Sequence, residues 1–166
     1  MVDVKKRTAD LQGSDAQIAF DLIERIFFGY RDFVGVADDA LSQTGYGRAH
    51  HRVLHFVDRH PGLTVGELLT ILKVTKQGVS RVLRTLVDDG MIEIQPGPYD
   101  RREKRLSTTP MGHDLARFVA RLQTARIESA LESLPPGSRQ VVADFLAGLV
   151  DDEERPAVLK RIAGGC

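Results

Sequence analysis

Between residues 64 and 109 the apolar spacing changes from that of a helix to that of a strand and back, and this limits the available folds more than any other feature. Leu68, Leu69 and Leu72, then Val79, Val82, Leu83 and Leu86, recur at intervals of three and four, as on one face of a helix. Met91-Ile92-Glu93-Ile94-Gln95 then alternates as a strand does, Pro96-Gly97-Pro98 is turn material, and 104–108 supplies a returning strand. The boundaries carry their own punctuation. Thr64 with Glu67 forms a capping box, Thr75 can cap the next helix, Gly90 stops it, and Thr109-Pro110 opens another. Two short capped helices joined by a tight turn and followed by a hairpin predict a winged helix-turn-helix.

The flanks read as helix. Ser14 with Gln17 makes a capping box ahead of Ile18, Leu22, Ile26, Tyr30, Phe33, Ala37 and Leu41. Gly29 and Gly35 allow either one kinked helix or two short ones. After a break at Gly45-Tyr46-Gly47 a helix is expected over 48–59, stopped by Pro61-Gly62. A long helix should run from Pro110 to about Leu134, closed by Pro135-Pro136-Gly137. A last amphipathic helix begins at Ser138, and the acids of 151–154 mark its end or a short continuation through Leu159.

The expected fold class is therefore mainly α, a winged helix-turn-helix with a two-stranded β-hairpin wing and flanking dimerisation helices. The corresponding segments are a tail over 1–13, an N-terminal dimerisation region over 14–47, the winged module over 48–112, C-terminal dimerisation helices over 113–163 and a tail over 164–166. Amphipathic helices beside a module of about 65 residues need a partner surface. A homodimer is expected, with Leu22, Ile26, Leu122, Phe145, Leu146 and Leu149 at its interface.

Net charge is zero, but its distribution is uneven. Residues 48–105 hold 11 Lys+Arg against 7 Asp+Glu, and the remainder holds 12 against 16. Such a basic module suits phosphate. The second short helix opposes its apolar stripe with Gln77, Ser80, Arg81 and Arg84, preceded by Thr75 and Lys76. Glutamine can bond adenine and arginine guanine through paired hydrogen bonds. The hairpin tip places Arg101, Arg102, Lys104 and Arg105 within five positions, with Asp100 and Glu103 available to neutralise part of that charge. Crowded cations on a loop suit the minor groove of DNA. Double-stranded DNA with a palindromic operator is the expected partner.

Other classes find little support. No apolar run approaches the roughly 18 residues that a membrane span needs, and 1–13 does not read as a signal peptide. A cytoplasmic protein without a membrane partner is expected. The single cysteine, Cys166, offers no internal disulfide and has no neighbouring base to activate it. His50, His51, His55 and His60 cluster, and His51 and His55 stand one helical turn apart, yet no third ligand has the spacing of a metal site. Helix packing, or a small-molecule pocket lined by His50, His51 and His55, is the expected role. No catalytic residue, metal or cofactor is assigned. A winged helix used for protein contacts alone and a metal hydrolase built on the histidines stand as alternatives.

Residues 47–112 resemble the MarR family of multiple-antibiotic-resistance-type regulators. The matching pieces are Arg52-Val53-Leu54, Pro61-Gly62-Leu63-Thr64-Val65-x-Glu67-Leu68, Thr75-Lys76-Gln77-x-Val79-Ser80-Arg81-x-Leu83-x-x-Leu86, Asp100-Arg101-Arg102 and Thr109-x-x-Gly112. The resemblance implies that Arg102 enters the minor groove, steadied by Asp100, and that the polar helix face reads bases. It also implies that the terminal helices interlock two subunits, and that a small-molecule effector, small aromatic acids being one class, binds near the histidines. The implied function is transcription regulation, and repression by operator binding is the expected form.

Overall fold

The computed structural model describes residues 18–98, 100 and 102–165. The Ser14–Gln17 capping box, Arg101 and Cys166 lie outside the described residues. The elements are α1 (Phe20–Leu41), a 3-10 turn (Ser42–Thr44), α2 (Arg48–Arg59), β1 (Leu63–Thr64), α3 (Val65–Leu72), α4 (Lys76–Asp88), β2 (Ile92–Pro96), β3 (Lys104–Thr108), α5 (Pro110–Glu132), α6 (Ser138–Gly148) and α7 (Arg155–Gly164). The chain divides into two compact units, 1–32 and 33–166.

Helix α1 is one element despite its glycines. A Cβ added at Gly29 or Gly35 would meet nothing within 4 Å. The glycines therefore cost helix propensity, about 1 kcal/mol each, without changing the packing. In the first unit Arg31 pairs with Asp32 at 2.7 Å and lies over the Phe28 ring at 4.8 Å. Leu22, Ile23, Ile26, Phe27 and Phe28 are exposed there.

The second unit is built around Leu41, Leu54, Val57, Leu68, Leu86, Ile92, Leu106 and Val119, all but excluded from solvent. Its boundaries follow from the caps. The Thr64 hydroxyl accepts from the Glu67 N–H at 3.2 Å, and the Glu67 carboxylate accepts from the Thr64 N–H at 2.9 Å. Those bonds from Thr64 hold the Glu67 carboxyl below its ordinary range. Thr75 accepts from the Gly78 N–H.

Strands β2 and β3 pair antiparallel from Ile92 with Thr108 to Pro96 with Lys104. The sheet also has a third strand, because β1 pairs along the other edge of β3, Leu63 with Leu106. Two residues are too few to display an alternating pattern, so the sequence shows only the hairpin.

Long-range polar contacts tie the module together. Asp58 accepts from the Thr108 hydroxyl at 3.0 Å and lies 2.8 Å from His113 Nδ1, joining α2 to β3 and α5. The Tyr46 hydroxyl donates to Asp89 at 2.8 Å. Burial first, then Asp89, pushes that phenol up to about 12.

Thr109 closes the wing. Its hydroxyl donates to the Gly90 carbonyl at 2.6 Å and accepts from the Gly112 N–H at 3.1 Å. A Cβ at Gly112 would run into the Met91 backbone carbonyl, so α5 starts against the wing only if that position has no side chain. Thr109→Ala loses both bonds and should cost about 1–2 kcal/mol. A urea midpoint at fixed protein concentration is the check, and an unchanged midpoint would contradict it.

After α6 the acids of 151–154 follow the end of the helix, as one of the two expected readings had it, but a further helix comes after them. The acids of 151–154 form a turn, and α7 follows as a separate helix with Pro156 in its first turn, where a missing N–H costs nothing. Arg155 fastens that turn, donating to the carbonyls of Ala147 and Val150 at 2.9 Å and to Asp152 at 2.6 Å.

Candidate nucleic-acid interface

Helix α4 buries Val79, Leu83 and Leu86 and half-buries Val82, which turns its other face outward. Thr75, Lys76, Gln77, Ser80, Arg81 and Arg84 are all exposed on it. The Ser80 hydroxyl donates to the Lys76 carbonyl at 2.7 Å, so its proton is used within the helix and its oxygen remains an acceptor. Among the described residues Lys76, Arg81 and Arg84 make no ion pair.

The wing turn is set by three bonds. Gly97 N–H donates to the Glu103 carbonyl at 2.8 Å, Glu103 N–H to the Asp100 carbonyl at 3.0 Å, and Arg102 N–H to the Asp100 carboxylate at 2.8 Å. Asp100 therefore steadies Arg102 through its backbone, leaving the guanidinium exposed. At Gly97 a Cβ would stand 2.7 Å from the Asp100 carbonyl oxygen, so the turn requires glycine. Among the described cations of the tip, Arg105 is neutralised: it pairs with Glu103 at 2.6 Å and donates to the Gly62 carbonyl at 3.4 Å. Arg102 and Lys104 make no ion pair among the described residues.

These groups meet in one cleft of about 670 Å³, bounded by Lys76, Ser80 and Arg84 of α4, Arg102 and Lys104 of the wing, and Thr64, Val65 and Gly66 at the start of α3. Leu83, Val87 and Ile94 complete its lining with apolar surface. Glu103 is taken by Arg105, which leaves Asp88 to oppose the four cations. Gln77 and Arg81 stand outside the cleft, one turn apart on the exposed face. The first turn of α3 was not foreseen as part of this surface, although Thr64 and Glu67 mark it as a helix start whose backbone donors suit phosphate.

The three histidines separate. His50 stacks on Tyr46 at 5.1 Å, and its Nδ1 accepts from the Gly47 N–H at 3.2 Å, so it serves the start of α2. His51 is half-buried with Nε2 unpartnered, as is Asp38 Oδ1. His55 lines a cavity beside α3 and α7. Burial lowers the pKa of all three, most strongly aided at His55 by His51 and Arg59.

Of the residues expected at a dimer interface, Leu22, Ile26, Phe145, Leu146 and Leu149 are exposed and Leu122 is half-buried. Among the described residues no helix is long and apolar enough to cross a membrane. Nor does any group of three or more His, Cys, Asp or Glu stand where it could hold a metal ion.

A capped helix pair whose second member presents a polar, basic face beside a cationic hairpin defines a winged helix-turn-helix transcription regulator. The profile described as the MarR family matches residues 44–103. The HTH-type transcriptional regulator PetP of Rhodobacter capsulatus is 47% identical over 123 residues, covering 74% of this chain and 72% of that protein. Among solved structures, Streptococcus pneumoniae FabT in complex with DNA aligns with a TM-score of 0.71 at 19% identity, over 80% of this chain and 94% of that one. Bordetella bronchiseptica BpsR, whose DNA binding is described as regulated by 6-hydroxynicotinic acid, aligns at 0.62 and 17% identity, over 79% and 99%. The chain belongs to the MarR family, and is a regulator rather than an enzyme.

Proposed function

We propose that the protein is a cytoplasmic homodimer that binds a palindromic operator in a sequence-specific manner, represses transcription by occluding a promoter, and releases DNA in response to a small molecule. The observation that carries this reading is the cleft between α4 and the wing, where Lys76, Arg84, Arg102 and Lys104 make no ion pair among the described residues. Exposed cations on two elements that flank a groove suit a duplex, with α4 in the major groove and the wing against the adjacent minor groove. FabT, solved in complex with DNA, supports DNA binding by this fold by analogy. BpsR supports control by a small organic acid in the same way. Dimerisation is supported by the apolar side chains left in water: Met111, Phe118, Ile127, Val141, Phe145, Leu146 and Leu149 on α5, α6 and the residue after it.

Selection of bound fragments from genomic DNA tests the reading. The expected result is enrichment of an inverted repeat, with affinity falling by about a thousandfold or more between about 50 mM and 200 mM salt. Retention without a common sequence and without salt dependence would overturn it.

A further inference from the structure

Helix α7 follows the helices expected to join two subunits, yet it reaches back to the winged module of its own chain. At one end Glu154 pairs with Lys73 at 2.8 Å, at the C-terminal cap of α3. At the other end Arg161 borders the start of α3, beside Thr64 and Glu67, and its charge helps to hold the Glu67 carboxyl below its ordinary range. Residues 154 and 161 stand about 10 Å apart along a helix axis, so the segment lies along α3 and against its direction. Arg59 donates to the Ile162 carbonyl at 3.4 Å, and Gly165 lies so close that a Cβ there would meet the Arg59 guanidinium.

The attachment is made by the ends of the segment rather than by packing. No residue of α7 is buried, and Ile162 is 63% exposed. Val158 and Ile162 share with Phe56 and Ile71 the lining of a cavity of about 630 Å³, so the apolar side of α7 stands off the module. Exposed ion pairs and long hydrogen bonds contribute little. The docked helix is therefore poised to come away.

What it holds is the turn that sets α4. Lys73 has φ 51°, and among the described residues no other residue except glycine takes a positive φ. That left-handed conformation is unfavourable for a residue with a side chain. Two residues further on, Thr75 caps α4, the helix that a winged helix-turn-helix lays in the major groove. The bond to Glu154, with the charge of Asp151 behind it, raises the Lys73 ammonium above its ordinary range.

We propose that residues 151–164 form a strap acting in cis: docked, it fixes the turn between α3 and α4 in the form that DNA requires, and its release lowers operator affinity. The inference rests on the operator reading above for its consequence at DNA, and on the contacts of the segment for its docking.

The test exchanges the charges of one ion pair in the full chain. Glu154→Lys and Lys73→Glu each set like charges against each other, and the double variant restores a pair at the parent's net charge. Hydrogen exchange, read without DNA, should accelerate at least threefold at the amides of 74–76 and 157–164 in each single variant and return to parent rates in the double. Affinity for a selected genomic fragment should fall at least threefold in each single variant and recover in the double. Glu154→Lys decides between causes, because two added units of positive charge by themselves strengthen DNA binding, whereas release of the strap weakens it. Affinity in Glu154→Lys equal to or above the parent's, or no recovery in the double, would overturn the proposal. So would a change of assembly in a single variant, seen by sedimentation, which would place α7 at the subunit interface. A parent chain without salt-dependent retention overturns the operator reading, and the exchange pattern then decides the docking on its own.

Discussion

Leu146→Glu should convert the protein to an 18.4 kDa monomer at micromolar concentration and abolish retention of its DNA fragments. Leu146 is 56% exposed on α6, within a run that includes Phe145 and Leu149. An unpaired charge carried into an apolar interface costs about 3–5 kcal/mol. A two-fold interface contains the position twice, so the dimer constant should weaken by roughly four to seven powers of ten. Each monomer would retain its α4 and wing but reach one half-site only. Sedimentation velocity and fragment retention, measured on the same preparation, provide the check. A variant that stays dimeric, or a monomer that binds as the parent does, would place the interface elsewhere.

The elements legible in the sequence are those whose ends are fixed by local hydrogen bonds. Thr64 with Glu67, Thr75, and Thr109 with Pro110 each satisfy donors within three residues, and each opens a helix where expected. The exposed face of α4 was legible for the same reason, since Val79, Leu83 and Leu86 bury the opposite side. Features that depend on distant partners were not. Strand β1 exists because β3 offers it an edge. Helix α7 was hidden by the acids of 151–154, which read as a terminus until Arg155 is seen holding their turn. The histidines looked like one cluster because they share a short segment, yet His50 caps α2, His51 lies beside Asp38 without a partner, and His55 reaches a cavity whose other wall is about 100 residues away.

The wing shows how composition overstates a site. Arg105 counts toward the basic tip but is held by Glu103 and Gly62, and Asp100 serves the Arg102 backbone. Among the described residues, the cations of this surface without an ion pair are Arg102 and Lys104 on the wing and Lys76, Arg81 and Arg84 on α4.

The two elements should fail in different ways when their arginines are removed, and this difference tests the account most directly. Arg81 stands on the exposed face of α4 beside Gln77, where the proposed docking brings base edges within reach. Arg81→Ala should cost roughly 1–3 kcal/mol per half-site on a selected duplex and relax preference at one position. In the proposed docking Arg102 lies on a wing set against the minor groove, which carries little sequence information. Arg102→Ala should weaken binding on all duplexes and lower the slope of log affinity against log salt by about 1 per subunit, about 2 per dimer. Affinity of the parent and both variants is to be measured on a selected and a scrambled duplex across a salt series. The account predicts that Arg81→Ala narrows the gap between the two duplexes, while Arg102→Ala lowers both and flattens the salt dependence. An unchanged slope in Arg102→Ala, together with equal losses on both duplexes in Arg81→Ala, would contradict it.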